Sequence, residues 1–91
     1  MFLEIVTPEA TIFSGDVKSV SVPGIDGSFQ MLNNHAPIVS ALKQGLVTID
    51  GEIEIDNHFK EMFTKKNNLT LFEIKSGAVE LVNNKIILLI D

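Results

Sequence analysis

Short runs of alternating apolar and polar residues recur along the chain, with turn residues between them every eight to twelve positions. That spacing predicts an all-β sandwich or barrel. Phe2–Val6 is the first strand and Thr7-Pro8 closes it. A short extended piece, Thr11–Phe13, ends at Ser14-Gly15-Asp16, and Val17–Val22 follows with Val20 and Val22 on one face and Ser19 and Ser21 on the other. Pro23-Gly24 stops that strand. Gly27–Leu32 is extended again until Asn33-Asn34-His35-Ala36-Pro37, where proline cannot donate to a ladder. Ile38–Leu42 and Leu46–Ile49 come next, separated by Lys43-Gln44-Gly45.

Asp50-Gly51 lies between Ile49 and a segment in which Ile53 and Ile55 alternate with Glu52, Glu54 and Asp56. This pattern predicts a hairpin with a two-residue I′ turn. Asn57–Asn68 reads two ways. Phe59, Met62 and Phe63 fall at helical spacing, whereas Phe59, Glu61 and Phe63 line one side of a strand, so a short helix in 57–66 competes with extended chain. Leu69–Lys75, Ala78–Val82 and Lys85–Ile90 are the last three strands, the final two joined by Asn83-Asn84, residues that tolerate positive φ. Ten extended pieces predict a ten-stranded β-sandwich of two packed sheets in one domain, 1–91. Ile86–Ile90 is apolar on both parities, so one face enters the core and the other needs separate cover, for which a partner surface is one candidate.

Composition supports this picture. Eleven Ile, nine Leu and eight Val stand against four Ala, and β-branched side chains suit a pleated surface. Seven Lys, no Arg and twelve acids leave a formal charge of −5, the wrong sign for sequence-independent nucleic-acid binding. With no Cys, disulfides and thiolate metal sites are excluded. No apolar run approaches the roughly 20 residues that span a bilayer, and Met1–Thr7 lacks a basic leader region. Together these features predict an intracellular, soluble chain.

The chemistry-bearing residues are sparse. Gly24 and Gly27 precede a β-pattern rather than a helix, which favours a turn over a phosphate cradle. His35 and His58 are the only histidines and sit in different segments, short of the three ligands a catalytic zinc site needs, so no metal and no cofactor is expected. No nucleophile-elbow motif is present. Glu52, Glu54 and Asp56 read as a solvated strand face rather than a catalytic carboxylate pair.

One long string is more informative. Val22-Pro23-Gly24-Ile25-Asp26-Gly27-Ser28-Phe29-Gln30-Met31-Leu32-Asn33-Asn34-His35-Ala36-Pro37-Ile38 resembles the Pro-Gly-x-x-Gly segment, with its downstream His-Ala-Pro, of the epsilon subunit of rotary ATP synthases (delta in mitochondria). Phe13-Ser14-Gly15 and Ser76-Gly77-Ala78-Val79-Glu80-Leu81-Val82 agree in order with the family's opening strands and closing Ser-Gly-Gly hairpin. The resemblance covers nearly the whole chain. It implies a non-catalytic rotor subunit at the foot of the central stalk, clamped to the gamma subunit and resting on the c-subunit ring. It also implies a peripheral position on the cytoplasmic face of the inner or plasma membrane, with no direct membrane insertion and no nucleic-acid partner.

Carried over residue by residue, the resemblance puts Thr7, His35 and Ser40 on the gamma-facing side and Asp26 and Ser28 in the loop that meets the c-ring. The family often has acids at both of the last two positions, so Ser28 keeps half of that charge pattern. Ala78 replaces the second glycine of the closing motif, and Asp56–Asn68 lengthens the region before the last hairpins. The chain stops at Asp91, where many family members continue into a two-helix domain that inhibits hydrolysis, and so the resemblance implies a subunit that supports assembly and coupling without that inhibition. The alternative is a free-standing ligand-binding β-sandwich module, which calls for an aromatic platform or a metal triad. The absence of Trp and Tyr weighs against it, and a hydrolase fragment lacks a nucleophile motif.

Overall fold

Alternating residues of a strand point to opposite faces, and the core of this protein follows that rule closely. In the computed structural model, which describes residues 1–91, ten strands form: β1 (Phe2–Val6), β2 (Thr11–Asp16), β3 (Ser19–Gly24), β4 (Gly27–Leu32), β5 (Ile38–Leu42), β6 (Gly45–Asp50), β7 (Thr64–Lys66), β8 (Leu69–Ile74), β9 (Gly77–Val82) and β10 (Lys85–Ile90). A 3-10 helix, Asn57–Met62, precedes β7. The inward residues Leu3, Ile5, Val20, Val22, Val47, Ile49, Val79, Leu81, Ile86 and Leu88 are almost fully buried and alternate with more exposed neighbours.

The strands hydrogen-bond in the order β2-β1-β10-β9-β5-β3-β6-β8-β7, with β4 on the other side of β3. All pairs are antiparallel except β1 with β10. The curled sheet folds into two layers of five strands, β2-β1-β10-β9-β5 and β4-β3-β6-β8-β7. A single register pair, Gly24 with Leu42, joins them. Their inner faces share one apolar cluster, as expected for a sandwich.

Two short hairpins show how turn chemistry sets register. Asn83 and Asn84 both take positive φ, 50° and 60°, which is the I′ geometry that matches strand twist, and β9 and β10 pair from Val82↔Lys85 to Gly77↔Ile90. The turn between β3 and β4 is Ile25-Asp26, two residues later than Pro23-Gly24 suggests. Pro23 stays in the strand opposite Ser28 and gives its carbonyl to Lys43 N at 2.9 Å.

The segment after β6 departs from expectation. Asp50 does not take positive φ and Gly51 sits at 137°, so no I′ turn forms, and 52–56 pairs with no strand. The physical reason is edge occupancy: β3 holds one side of β6 and β8 holds the other. Ile53 and Ile55 are nonetheless buried, with Glu52, Glu54 and Asp56 exposed. Extended backbone alternates its side chains whether or not a ladder exists. The segment therefore acts as a strap, running past β2 so that Glu54 and Asp56 line a cleft with Thr11, Ile12, Phe13 and Ser14.

Both readings of 57–68 are partly realised. Asp56 caps the 3-10 helix by accepting from His58 N at 2.8 Å. Phe59 and Phe63 pack against the core, the latter with its ring 4.9 Å from that of Phe72. The tenth strand is then β7, turned onto β8 through Asn67 at φ 58°. Strand limits also shift: β2 extends to Asp16 because Ser14 and Gly15 lie in its ladder with β1, and β3 starts at Ser19 rather than Val17.

Candidate functional site

The ladder registers give the outer surface of the first layer row by row. Val6, Leu89, Ala78 and Ala41 lie in one row, Glu4, Ile87, Glu80 and Val39 in the next, and Phe2, Lys85 and Val82 in a third. These residues share the parity opposite to the core. Val39 is 75% exposed, Leu89 50% and Val82 46%, so three of the seven large exposed apolar residues share this face, the others being Ile25, Leu32, Leu46 and Met62. The charges on this parity are Glu4, Glu80, Lys85 and, at the edge on β2, Asp16. Lys85 Nζ sits 4.0 Å from Glu4 and 5.8 Å from the centre of the Phe2 ring.

Residues singled out in the sequence surround this face at different points. Thr7 follows β1 and spends its hydroxyl on its own turn: Oγ1 accepts from Glu9 N and Ala10 N and donates to Ala10 O. What Thr7 offers outward is a fixed turn shape. Asp26 and Ser28 are exposed at the β3–β4 hairpin, which is tied to β5 by Ile25 N donating to Ala41 O at 3.1 Å. Because Leu42 pairs with Gly77 and Gly77 with Ile90, this hairpin and Thr7 lie toward the same end of the first layer.

His35 is at the opposite end, beside the Asn83-Asn84 turn; the five residues of β1, at about 3.3 Å each, separate the ends by roughly 17 Å. Its imidazole is exposed and Nδ1 stands 2.6 Å from Ala36 O. Ser40 lies within β5, half-buried, and pairs with the core residue Val79 while its hydroxyl donates to Ala41 O at 3.0 Å. Thr7, Asp26 and Ser28 thus lie at one end of the first layer and His35 at the other, while Ser40 takes the inner parity of β5, and the five do not converge on a pocket.

Sequence reasoning found the double-sided apolar character of Ile86–Ile90 but not Val39 and Val82. A signal existed in the contiguous apolar pairs Ile38-Val39 and Leu81-Val82, each of which must send one member outward from a strand. His35 and His58 are in separate segments, and no group of three or more His, Cys, Asp or Glu assembles that could hold a metal ion. No helix is long and apolar enough to cross a membrane.

The chain matches, over residues 1–91, the family model described as the β-sandwich domain of the ATP synthase delta/epsilon chain. It is 38% identical over 89 residues to the ATP synthase epsilon chain of Chlorobium limicola, covering 98% of this chain and 86% of that protein. Identity to the epsilon chain of Campylobacter curvus is 35% over 91 residues, covering 100% of this chain but 60% of that one. Among solved structures, the central stalk and c-ring of Tetrahymena thermophila mitochondrial ATP synthase contain a chain that superposes with a TM-score of 0.74 at 16% identity, over 99% of this chain and 62% of that chain. The Euglena gracilis mitochondrial enzyme, in an OSCP/F1/c-ring structure, gives 0.72 at 12% identity, over 97% and 48%. At those identities the two structures establish a common fold. With the family model matched throughout and curated relatives well above 30% identity, the chain belongs to the ATP synthase delta/epsilon chain β-sandwich family.

Proposed function

We propose that this protein is a non-catalytic central-stalk subunit of a rotary ATP synthase that clamps the gamma subunit to the c-subunit ring, supporting the coupling of ion flow to ATP synthesis. The observation that carries this reading is the exposed aliphatic outer face of β5, β9, β10 and β1. A face of that kind binds a protein by apolar contact, and a stable interface needs about 1,200–2,000 Å² in total. Thr7, His35 and Ser40 are the gamma contacts in this reading, with Thr7 and His35 at opposite ends of that face and Ser40 on the inner parity of β5. Asp26 and Ser28, at an exposed hairpin tip, meet the polar loops of the ring, with Asp26 able to pair with a Lys or Arg. Engaging both partners adds avidity, because the second contact forms between molecules already held together.

A rotor element must transmit torque without deforming, and strands joined mostly by tight turns around one core leave little compliant chain. The subunit is peripheral, on the cytoplasmic side of the membrane that holds the ring. The test is co-purification from gently solubilised membranes of tagged wild type, Val39→Glu, His35→Ala and Asp26→Lys. Gamma and c subunits are expected at fixed stoichiometry with wild type, gamma reduced in the first two variants and ring contact reduced in the third. Recovery of wild type free of every ATP synthase subunit would refute the reading.

A further inference from the structure

The loop that carries His35 has one backbone bond of its own, His35 N donating to Leu32 O at 3.0 Å, and little burial to hold it. Asn33, Asn34, His35, Ala36 and Pro37 are all exposed, so burial contributes little to fixing their conformation. Asn34 is also held at φ 64°, a left-handed conformation that few residues adopt without support. Downstream the chain is stiff: Pro37 fixes its own φ and restricts Ala36 to extended backbone. Upstream, the Met1 ammonium donates to Asn33 Oδ1 at 3.3 Å, and one side chain from elsewhere in the sequence reaches both Asn33 and Asn34.

That side chain is Asn84. Its Oδ1 accepts from Asn34 N at 2.8 Å and its Nδ2 donates to Asn33 Oδ1, also at 2.8 Å. Its backbone carbonyl accepts from Phe2 N at 3.1 Å. Asn84 is itself fixed in the β9–β10 turn at φ 60°, so it is rigid before it makes these bonds. One residue therefore ties together the start of β1, the β9–β10 hairpin and a loop 50 positions away in sequence.

We infer that Asn84 is the positioning residue for the His35 loop, setting in advance the conformation in which His35 meets the gamma subunit. This rests on the function proposed above. Preorganisation of this kind favours binding by removing the ordering cost from the association step. The carboxamide fits the task because it presents one acceptor and one donor to two adjacent residues, and only Asn, Asp and Gly suit its backbone conformation well.

The test is Asn84→Gly, which keeps a comfortable turn at positive φ and removes both side-chain bonds, with Asn84→Asp retaining the acceptor and losing the donor. Amide hydrogen exchange at Asn34 is expected to quicken in Asn84→Gly and less in Asn84→Asp, while exchange at Val79 and Leu81, in the core, stays as in wild type. Affinity for purified gamma subunit is expected to fall about tenfold in Asn84→Gly, within the range that loop-ordering costs produce, and to fall no further when His35→Ala is added. Gamma affinity equal to wild type, or unchanged exchange at Asn34, overturns the inference. If wild type itself fails to bind gamma, the proposed function is what fails. The exchange comparison then still decides whether Asn84 orders the loop.

Discussion

Thr70 presents a buried hydroxyl with nothing to bond, and this gives a sharp test of the packing. The residue lies on the inner parity of β8, 1% exposed, opposite Ile49 of β6 and Lys65 of β7. Its Oγ1 has no hydrogen-bond partner. A buried, unsatisfied polar group costs about 1–3 kcal/mol of desolvation. Thr70→Val keeps the branched shape and strand preference while exchanging the hydroxyl for a methyl, which adds apolar burial of about 0.8 kcal/mol on the usual transfer scale. The substitution should stabilise the fold by about 1–2 kcal/mol, net of small repacking. For a domain of this size that is a rise in Tm of roughly 5–10 °C.

The assay is reversible thermal and urea unfolding of wild type, Thr70→Val and Thr48→Val. Thr48 is half-buried on the outer parity of the neighbouring strand β6, where its hydroxyl keeps access to water, and replacing it should change stability by no more than about 0.5 kcal/mol. A Thr70→Val protein no more stable than wild type would refute the reasoning, because its hydroxyl would then have to be satisfied in solution. Equal gains at both positions would also refute it, by tracing the effect to general strand preference.

Three further outcomes follow from close contacts. Gly77→Ala should cost about 2 kcal/mol or more in urea unfolding, because its Cβ would run into the backbone carbonyl of Leu89 across the β9–β10 ladder. Ile55→Ala, although outside any strand, should lose about 2–4 kcal/mol because the side chain is 6% exposed and part of the shared core; a loss under 0.5 kcal/mol would mean the strap is only loosely attached. Glu4→Gln should change stability by less than about 0.5 kcal/mol at any salt concentration, since its pairing with Lys85 is long and both side chains are partly solvated.

What could be read from sequence was local, and what could not depended on neighbours. Asn83-Asn84 was legible because positive φ is a property of those two residues and their turn. Asp50-Gly51 carried the same kind of signal and failed, because a hairpin also needs a free edge and β6 has none. Parity correctly marked Ile53 and Ile55 for burial without saying whether their backbone pairs. β7 was open only as the extended reading of 57–68 and could not be placed: Thr64-Lys65-Lys66 has no apolar alternation and is a strand because β8 offers an edge. At the site, the hairpin tip at Asp26 and Ser28 and the loop at His35 followed from Gly and Pro positions. The outward direction of Val39 and Val82, and the reach of Asn84 to Asn34, required the ladder registers.

Those registers also explain why association should proceed through a face. Four strands have an unpaired side, β2, β4, β7 and β5, the last only five residues long and closed against β3 at Leu42, and free edges invite strand addition unless they are blunted. β7 has three exposed residues, two of them lysines, and β4 exposes Gly27, Ser28 and Gln30 with a single apolar residue, Leu32, at its end. β2 is offset from β1 by an irregularity at Ile5/Val6 and is bordered by the strap with its carboxylates. None presents a long, flat apolar edge. The outer surface of β5, β9, β10 and β1 is different: it is largely aliphatic, its backbone is paired within the sheet apart from one side of β5, and side chains are what it offers for recognition. Binding there must depend on shape and apolar complementarity, which discriminate between partners, whereas main-chain pairing at an edge accepts almost any extended segment. A subunit that must seat one partner in one orientation is better served by such a face, and Val39→Glu, which leaves every ladder bond intact, should abolish that seating without altering the fold.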